Sequence, residues 1–277
     1  MNCGELLRGA VARLGGDSPR ADAELLLAHV LGRDRAWLFA HADAACDPDQ
    51  AARFDALLAR RAAGEPVAYL VGHRGFWTLD LAVGPGVLVP RPETELLVEF
   101  ALAHAARESP VAVLDLGTGS GAIALAVASE RPRADVVAVD ASAEALAIAR
   151  ANAGRLGLSR VAFLHGDWFA PVAGRRFDLV LANPPYIADD DPHLARGDLR
   201  FEPRGALAAG ADGLDAIRHI AAAAPAHLAP GGRIAIEHGF AQAGAVRALL
   251  EATGLREAGT LRDLAGHERI THARAPD

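Results

Sequence analysis

The chain has 277 residues, of which 51% are hydrophobic and 23% are charged. This is the composition of a globular protein, and the length suffices for one large and one small domain. A disordered chain and a small disulfide scaffold are excluded. Its 35 acidic residues outnumber its 28 basic residues, so the net charge of -7 gives no global attraction to nucleic acid or anionic lipid. All 28 basic residues are arginine, which excludes enzymes that need a lysine amine, such as Schiff-base enzymes, Walker-type nucleotidases and protein kinases.

Capping signals in the first part of the chain predict a small helical domain over residues 1–63. Ser18 and Pro19 can open one helix, and Gly32 can take the left-handed conformation that ends it. Asp47, which is also followed by proline, can open a second helix. Between these signals apolar residues recur at three- and four-residue intervals, which is the spacing of a helix with one buried face.

The N-terminus and the cysteines indicate a cytoplasmic protein. Glu5, Arg8 and Arg13 interrupt the apolar stretch that a secretory signal needs. Cys3 and Cys46 are too few for a disulfide framework or a zinc site, which fits a reducing compartment. No stretch approaches the roughly 20 apolar residues that span a bilayer, so we expect no membrane partner.

The remaining sequence predicts a hairpin followed by an α/β domain. Residues 64–90 show alternation with a period of two, flanked by glycines, which predicts a β-hairpin linker. From residue 91 to residue 277, apolar strands alternate with helices, which is typical of a parallel, doubly wound sheet. The predicted strands lie at 111–116, 135–140, 161–167, the start of 177–186, 233–237 and, more weakly, 255–261 and 268–273, and the predicted helices start at Gly121, at Ser142 and near residues 213 and 240.

A glycine-rich loop, defined here as residues 117–121, follows the first of these strands. It consists of Gly117, Thr118, Gly119, Ser120 and Gly121. Glycine suits a backbone that approaches a ligand closely, and Asp140, at the end of the next strand, can accept hydrogen bonds from both hydroxyls of a ribose. We therefore predict a nucleoside-cofactor site. The loop also fits the pattern of nicotinamide-dinucleotide enzymes or of a simple packing turn, and Asp140 can instead cap the following helix.

The acceptor motif, defined as Asn183, Pro184, Pro185 and Tyr186, comes directly after an apolar strand. The Asn183 side-chain carbonyl and the Pro184 backbone carbonyl can accept both hydrogens of a planar NH2 group, and Tyr186 offers an aromatic surface against it. The two prolines keep these acceptors rigid. The motif favours a methyltransferase that acts on an NH2 group over a hydride-transfer enzyme, although Asn-Pro also marks ordinary turns.

With both motifs in place, the chain resembles the release-factor glutamine methyltransferases, the PrmC/HemK family. The resemblance extends to residues 64–99, which contain PRPETE, to HGDWF at 165–169, to 201–214 and to IEHGFAQ at 236–242. These blocks occur in the family's order and cover nearly the whole chain. PRPETE together with the acceptor motif is the most specific part.

The resemblance implies a Rossmann-like class I methyltransferase fold with a mostly parallel seven-stranded sheet. It also implies S-adenosylmethionine as cofactor, S-adenosylhomocysteine as product, and the glutamine of the GGQ tripeptide in class I peptide-chain release factors as substrate. In that family the glycine-rich loop and Asp140 hold the cofactor, Trp168 lies against the adenine, and the acceptor motif receives the glutamine. Asn183 is assigned to both the catalytic and the cofactor-binding set.

Several alternatives and partner predictions accompany this assignment. An adenine-specific DNA or RNA methyltransferase is the main rival, because the acceptor motif also suits an exocyclic amine, but it calls for a basic cleft that the net charge of -7 does not indicate. A non-catalytic nucleotide-binding module and a nicotinamide dehydrogenase are more distant. Because the chemistry does not need a second domain, we expect the helical domain to contact the release factor, and we expect a monomer that binds no nucleic acid.

Other polar residues receive no role or a structural one from the sequence. The acids within residues 93–95 follow Pro92 and are expected in the first turn of a helix on dipole grounds alone, while Arg91 stays open. Glu237 and Gln242 match the family blocks without an evident physical role. No metal site is predicted, since the acids at 189–191 are typical of a solvated loop and the histidines show no ligand spacing.

Overall fold

The structure, a computed structural model that describes residues 1–16 and 18–277, divides into two compact units. The helical unit comprises Met1–His73 and Ala195–Phe201, and the sheet unit comprises Arg74–Leu194 and Glu202–Asp277. Within the described residues, no helix combines the length and the apolarity that a bilayer crossing requires.

The described residues of the helical unit form five α-helices, α1 (Cys3–Arg13), α2 (Pro19–Leu31), α3 (Arg35–Ala40), α4 (Pro48–Ala62) and α5 (Val67–Val71), and a 3-10 helix at Gly197–Phe201. The predicted boundaries of α2 and α4 are confirmed, because Ser18 and Asp47 are their N-caps and Gly32 ends α2 with a φ of +61°. Asp47 also completes a capping box with Gln50. The core of this unit is built from apolar residues of all five helices together with Cys3 and Cys46, whose sulfurs are 3.4 Å apart.

A late segment of the chain, residues 195–201, belongs to the helical unit. Arg61 joins this segment to the earlier part of the unit: its Nε donates to Asp22 Oδ2 at 2.7 Å and its Nη1 donates to Asp198 Oδ1 at 2.6 Å. The Arg200 guanidinium also donates to the carbonyl oxygen of Ala63. The unit is therefore assembled from two pieces of sequence that lie far apart.

The hairpin β1 (His73–Phe76) and β2 (Leu79–Ala82) occupies only the middle of the predicted linker at 64–90. The first part of that segment forms α5, which follows Pro66 and ends at Gly72 with a φ of +80°. Its apolar run buries Ala68, Tyr69 and Leu70, and a one-turn helix with glycine at its end achieves this more readily than an extended strand. The linker thus contains a helix that the alternation pattern did not indicate.

The sheet unit then alternates helices and strands: α6 (Glu95–His104), β3 (Ala112–Leu116), α7 (Ala122–Glu130), β4 (Asp135–Asp140), α8 (Ala143–Arg155), β5 (Ala162–His165), β6 (Phe177–Ala182), α9 (Asp215–His227), β7 (Leu228–Glu237), α10 (Ala243–Ala252), β8 (Arg256–Arg262) and β9 (Glu268–Arg274). Seven strands form one sheet in the order β5-β4-β3-β6-β7-β9-β8. Strand β9 is antiparallel to both of its neighbours, and the remaining pairs are parallel. The predicted fold, a mostly parallel seven-stranded α/β sheet, is confirmed.

Alternate residues of the central strands supply two separate hydrophobic cores, one on each face of the sheet. Val113 of β3 and Leu179 of β6 pack into the core that contains α6 and α7. Leu114 and Val180, their neighbours in sequence, pack into the core that contains α9 and α10. Both faces are therefore covered, and the strands are apolar almost throughout, as expected for a doubly wound sheet.

The carboxyl ends of the central strands meet at one edge of the sheet. Leu116 of β3 pairs with Val139 of β4 on one side and with Ala182 of β6 on the other. Ala182 in turn pairs with Ile236 of β7. The loops that follow these strands therefore begin side by side, which is where ligands bind in sheets of this type.

Candidate active site

A cavity of about 400 Å³ opens at this edge of the sheet unit. Its volume lies within the range of about 300–1,000 Å³ that is usual for small-molecule sites. Nine of the residues predicted from sequence line it: Gly117, Thr118, Gly119, Ser120, Asp140, Trp168, Asn183, Pro184 and Pro185. The two other predicted residues do not: Gly121 is the N-cap of α7, and Tyr186 packs against the core that contains α9 and α10. The structure thus brings the glycine-rich loop and the acceptor motif to one cavity.

The glycine-rich loop uses glycine where the backbone demands it. Gly117, Gly119 and Gly121 have φ values of +72°, +55° and +87°, a region that other residues rarely adopt. The backbone N–H groups of Gly117 and Thr118 both donate to the Val139 carbonyl, at 2.9 and 3.0 Å, and so fasten the loop to β4. The loop therefore leaves its outer face free of side chains at its glycines, and a ligand can approach the backbone there.

Asp140 faces the same cavity from the end of β4. Its Oδ2 accepts the Gly119 N–H at 2.8 Å and its Oδ1 accepts the Ser142 N–H at 2.8 Å. The N-cap of α8 is Ser142, whose side chain accepts the Ala145 N–H, so the helix does not depend on Asp140 for its cap. Each carboxylate oxygen keeps a second lone pair for a ligand hydroxyl.

Trp168 is held in an unusual backbone conformation beside the loop. Its φ is +41°, which is uncommon for a large residue and is seen most often at functional sites. Its ring lies so close to Gly117 that a Cβ on that glycine would be 3.6 Å from Cζ3. The cavity therefore has an aromatic wall next to the glycine-rich loop, suited to stacking a planar heterocycle.

The buried carboxyl of Asp115 stabilises the glycine-rich loop by hydrogen bonding. Asp115, the fourth residue of β3, accepts the Thr118 hydroxyl at 2.6 Å and the Ala124 N–H at 3.2 Å, both on Oδ2. Burial raises the pKa of Asp115 to about 7, while these two hydrogen bonds oppose the rise. The sequence indicated no role for Asp115, although an acid inside an apolar strand was a visible signal.

The acceptor motif is oriented by residues that are distant in sequence. Asn183 donates from Nδ2 to Thr94 Oγ1 at 3.0 Å. Thr94 ends the short 3-10 turn Pro92–Thr94 and is only 4% exposed. This bond engages one of the two Nδ2 hydrogens, and Oδ1 can accept a hydrogen bond from a ligand in the cavity.

Tyr186 is anchored by Glu237, the last residue of β7. The Tyr186 hydroxyl donates to Glu237 Oε1 at 3.3 Å, and burial raises the pKa of this hydroxyl above its ordinary range. Burial likewise raises the pKa of Glu237 to about 7, against the lowering effect of the Thr94 and Tyr186 hydroxyls and of the Arg269 charge. The sequence indicated no role for Glu237, and the structure shows that it accepts a hydrogen bond from the tyrosine of the acceptor motif.

The backbone of Tyr186 is positioned by Gln242 and Gly213. Gln242 donates from Nε2 to the Tyr186 carbonyl at 3.0 Å and accepts the Gly239 N–H at 2.8 Å. Gly213 lies so close that a Cβ there would be 2.2 Å from the Tyr186 carbonyl oxygen, and its φ is +73°. These contacts give a physical role to the IEHGFAQ and GADGL segments, which the sequence singled out only by resemblance.

Arg91, left open by the sequence, lines the cavity and forms an ion pair with Glu202. The Glu202 side chain is fully buried, and its Oε2 also accepts the Val89 N–H at 3.2 Å. A buried carboxylate held by a guanidinium and a backbone amide fixes the segments before α6 and after the acceptor motif in one arrangement. Arg91 therefore contributes a positive charge to the wall of the cavity.

The geometry supports a defined chemistry. One side of the cavity offers glycine backbone, a carboxylate and an indole, which suit a nucleoside-bearing cofactor. The other side offers an amide oxygen and proline carbonyls, which accept hydrogen bonds and cannot donate them. A group with two N–H bonds fits such a surface, and its nitrogen can then face the cofactor.

Comparisons with known proteins agree with this arrangement. Residues 5–72 match the family model of the PrmC N-terminal domain, and residues 92–197 match that of the methyltransferase small domain. A release factor glutamine methyltransferase of Xylella fastidiosa is 54% identical over 271 residues, covering 98% of this chain and 97% of that protein. The protein of the same name from Escherichia coli is 46% identical over 269 residues, covering 97% of each.

Solved structures share the fold. The 16S rRNA N2 G1207 methyltransferase of T. thermophilus, in complex with AdoMet and guanosine, is 23% identical with a TM-score of 0.53. The match covers 73% of this chain and 49% of that one. At this identity the likeness shows the fold alone.

Proposed function

The chain belongs to the release factor glutamine methyltransferase family, and from this premise we propose how its cavity works. The cavity binds S-adenosylmethionine and the glutamine side chain of the GGQ tripeptide in a class I peptide-chain release factor. The methyl group would pass from the sulfonium sulfur to the amide nitrogen of that glutamine, which leaves S-adenosylhomocysteine, and the nitrogen would lose one of its two protons. The observation that carries this proposal is that the glycine-rich loop with Asp140 and the carbonyl acceptors of Asn183 and Pro184 line the same cavity.

The residues present fit the cofactor. Asp140 accepts the ribose hydroxyls, the glycine-rich loop gives the amino-acid portion a backbone free of side chains, and Trp168 lies against the adenine. The positive φ values at Gly117 and Gly119 and the ring of Trp168 beside Gly117 support this placement. When bound, the cofactor supplies a methyl group already activated on a sulfonium.

The acceptor motif then has to position a poor nucleophile. An amide nitrogen shares its lone pair with its carbonyl, so orientation matters more than deprotonation. Asn183 Oδ1 and the Pro184 carbonyl would accept the two N–H hydrogens and turn the nitrogen towards the methyl group, and such positioning can lower a barrier by about 7–11 kcal/mol. The same oxygens stabilise the positive charge that develops on nitrogen, so they favour the transition state over the ground state.

Label transfer from S-adenosylmethionine carrying a tritiated methyl group tests this function. The acceptors are a purified class I release factor, its variant with alanine in place of the GGQ glutamine, and duplex DNA. We expect label on the unaltered release factor alone. Label on DNA would favour the exocyclic-amine alternative, and label on the alanine variant would place the modification at another residue.

We also propose that the helical unit contacts the release factor away from the glutamine. Its match to the PrmC N-terminal domain and an aromatic side chain on α3, Phe39, which is 87% exposed, support this role. Phe39→Ala is expected to raise the KM for the release factor several-fold and to leave the Kd for the cofactor unchanged. Leu264→Ala, which removes an even more exposed apolar side chain from the sheet unit, is the control. Equal effects of the two variants would contradict the proposal.

A further inference from the structure

We propose that Asn152 of α8 is a positioning residue that fixes two walls of the cavity relative to each other. Its side-chain amide bonds both to Ser120 of the glycine-rich loop and to Ala82, the last residue of β2. This inference rests on the proposed function for the identity of the cofactor. It deepens that function, because it assigns part of the cofactor's affinity to a residue that does not itself line the cavity.

Every hydrogen-bonding position of the Asn152 amide is used. Its Oδ1 accepts the Ala82 N–H at 2.7 Å and a hydrogen of Arg155 Nη2 at 3.2 Å. Its Nδ2 donates to the Ala82 carbonyl at 3.0 Å and to the Ser120 carbonyl at 2.9 Å. An asparagine amide has two donor hydrogens and two acceptor lone pairs, so this set is complete. Asn152 is 0% exposed, so water does not compete for these bonds.

The partners of Asn152 allow only one orientation of its amide. If the amide were turned over, Nδ2 would face the Ala82 N–H and the Arg155 guanidinium, which are donors. Oδ1 would then face the Ala82 and Ser120 carbonyl oxygens, which are acceptors. Backbone groups cannot exchange these roles, so the link between Ala82 and Ser120 has a fixed geometry.

The two ends of this link lie at two walls of the cavity. Ser120 lines the cavity as part of the glycine-rich loop. Shortly after Ala82 the chain lines it again, through Gly86, Val87, Leu88, Pro90 and Arg91. Gly86 also lies against α8, since a Cβ there would be 2.5 Å from Glu144 Cδ. Helix α8 therefore holds both walls, and Asn152 is the residue that bonds to each.

The separation of the walls affects a ligand that contacts both of them. While the amide link is intact, the walls are ordered before the cofactor arrives. Without it, binding has to order them, and that ordering lowers affinity without removing any contact. By the same coupling, a bound cofactor should stabilise the far side of the link at β2.

Asn152→Asp tests the link with almost no change in shape. The variant keeps an oxygen for the Ala82 N–H but loses the donors to the two carbonyls. Asn2→Asp is the matched control, because the Asn2 side chain accepts the Glu5 N–H at the N-cap of α1 and aspartate serves equally well there. For each full-length variant, calorimetry gives the Kd for S-adenosylhomocysteine, circular dichroism checks folding, and label transfer to a class I release factor gives kcat at saturating S-adenosylmethionine.

We expect Asn152→Asp to raise the Kd for S-adenosylhomocysteine about tenfold or more. At saturating cofactor its kcat should stay within about threefold of the unaltered chain, because the acceptor motif keeps its own supports. Asn2→Asp should change neither quantity. An unchanged Kd in folded Asn152→Asp, or a loss of kcat as large as the rise in Kd, would overturn the positioning role.

Hydrogen–deuterium exchange of the unaltered chain tests the coupling even if Asn152→Asp does not fold. Residues 79–82 of β2 do not line the cavity, so a ligand can slow their exchange only through other residues. S-adenosylhomocysteine should slow exchange at 79–82 and leave 256–262 of β8, at the outer edge of the sheet, unchanged. In folded Asn152→Asp at saturating ligand, the slowing at 79–82 should disappear. No slowing in the unaltered chain, or equal slowing in both strands, would overturn the coupling.

Failure of the proposed function has a different signature. If the unaltered chain does not bind S-adenosylhomocysteine, the proposed cofactor is wrong and this inference falls with it. If the unaltered chain binds S-adenosylhomocysteine but transfers no label to a release factor, the proposed substrate is wrong. The Kd and exchange measurements would then still decide the role of Asn152.

Discussion

The two halves of the cavity are built in different ways. The glycine-rich loop is held by elements that follow one another along the chain, since its supports are the Val139 carbonyl, the carboxyls of Asp115 and Asp140, and the amide of Asn152 in α8, which donates to the Ser120 carbonyl at 2.9 Å. The acceptor motif is held by side chains from distant segments, namely Thr94, Glu237 and Gln242. The supports of the first half therefore lie within the continuous segment from β3 to α8, whereas those of the second half lie 51 to 89 residues from the motif.

The largest expected effect separates the two halves by function. Asn183→Ala removes an acceptor that acts on the reacting nitrogen, so methyl transfer should fall about 100-fold or more, the usual loss when one transition-state hydrogen bond is deleted. The cofactor Kd, measured by calorimetry, should change little because the glycine-rich loop and Asp140 remain. Near-normal turnover in this variant would remove Asn183 from the proposed mechanism.

Gly213→Ala tests how strongly the acceptor motif depends on a remote backbone contact. The new Cβ would meet the Tyr186 carbonyl oxygen at 2.2 Å at a φ of +73°, so we expect a loss of about 2–3 kcal/mol in the free energy of unfolding, together with reduced methyl transfer. Urea denaturation measures the first quantity.

Two other glycines provide controls for Gly213→Ala. Gly254 has a φ of +85° in open space, so Gly254→Ala reports the backbone strain alone, and Gly244 lies within α10 with nothing near its Cβ position. Gly254→Ala should therefore cost about 1 kcal/mol, and Gly244→Ala should be neutral or stabilising. Equal losses at Gly213 and Gly254 would mean that the contact with Tyr186 contributes nothing.

Asp140→Ala should affect the other half only. Loss of the carboxylate removes the predicted ribose contacts and the bond to the Gly119 N–H, so the cofactor Kd should rise about tenfold to 100-fold, which corresponds to about 1.4–2.8 kcal/mol. With cofactor at saturation, kcat should recover to near its original value. An unchanged Kd would show that Asp140 has only the structural role of bonding to Gly119 and Ser142.

The smallest expected effect concerns pH. Burial raises the pKa of Glu237 from 4.5 to about 7, so between these pH values the folded chain binds more protons than the unfolded chain and its free energy of unfolding falls as pH rises. Glu237→Gln should reduce this fall by about 1 kcal/mol between pH 5 and 7, measured by urea denaturation. Part of the fall should remain in this variant, because burial also raises the pKa of Asp115 to about 7. Glu108→Gln is the exposed control, and an equal change there would contradict the assignment.

Sequence patterns predicted the architecture well where structure is local. Periodicity and capping residues predicted α2, α4 and the succession of strands and helices along the chain, because these depend on residues that are near one another in sequence. The start of β7 was predicted at residue 233 and lies at Leu228, since pairing with Phe177 of β6 draws residues 228–232 into the strand despite a proline and two glycines. Tertiary pairing overrode the local preference of those residues.

The candidate site was predictable to a different extent in its two halves. The residues of both motifs were identified, yet their supports were not, because Thr94 lies 89 residues from Asn183 and Glu237 lies 51 residues from Tyr186. No spacing rule joins residues so far apart. The only indication of Thr94 and Glu237 in the sequence was that PRPETE and IEHGFAQ resemble blocks of the family. That resemblance does not explain what the two residues do.

The helical unit is assembled from two separate pieces of the chain, and this has a consequence for its folding during synthesis. A chain emerges from the ribosome with its N-terminal end first, and domains generally fold in that order. Arg61 is then already in place beside Asp22, but its second partner, Asp198, is not made until after both motifs of the cavity have been synthesised. The first unit to emerge is therefore completed only after residue 201, so a nascent chain stalled before that point displays an unfinished helical unit.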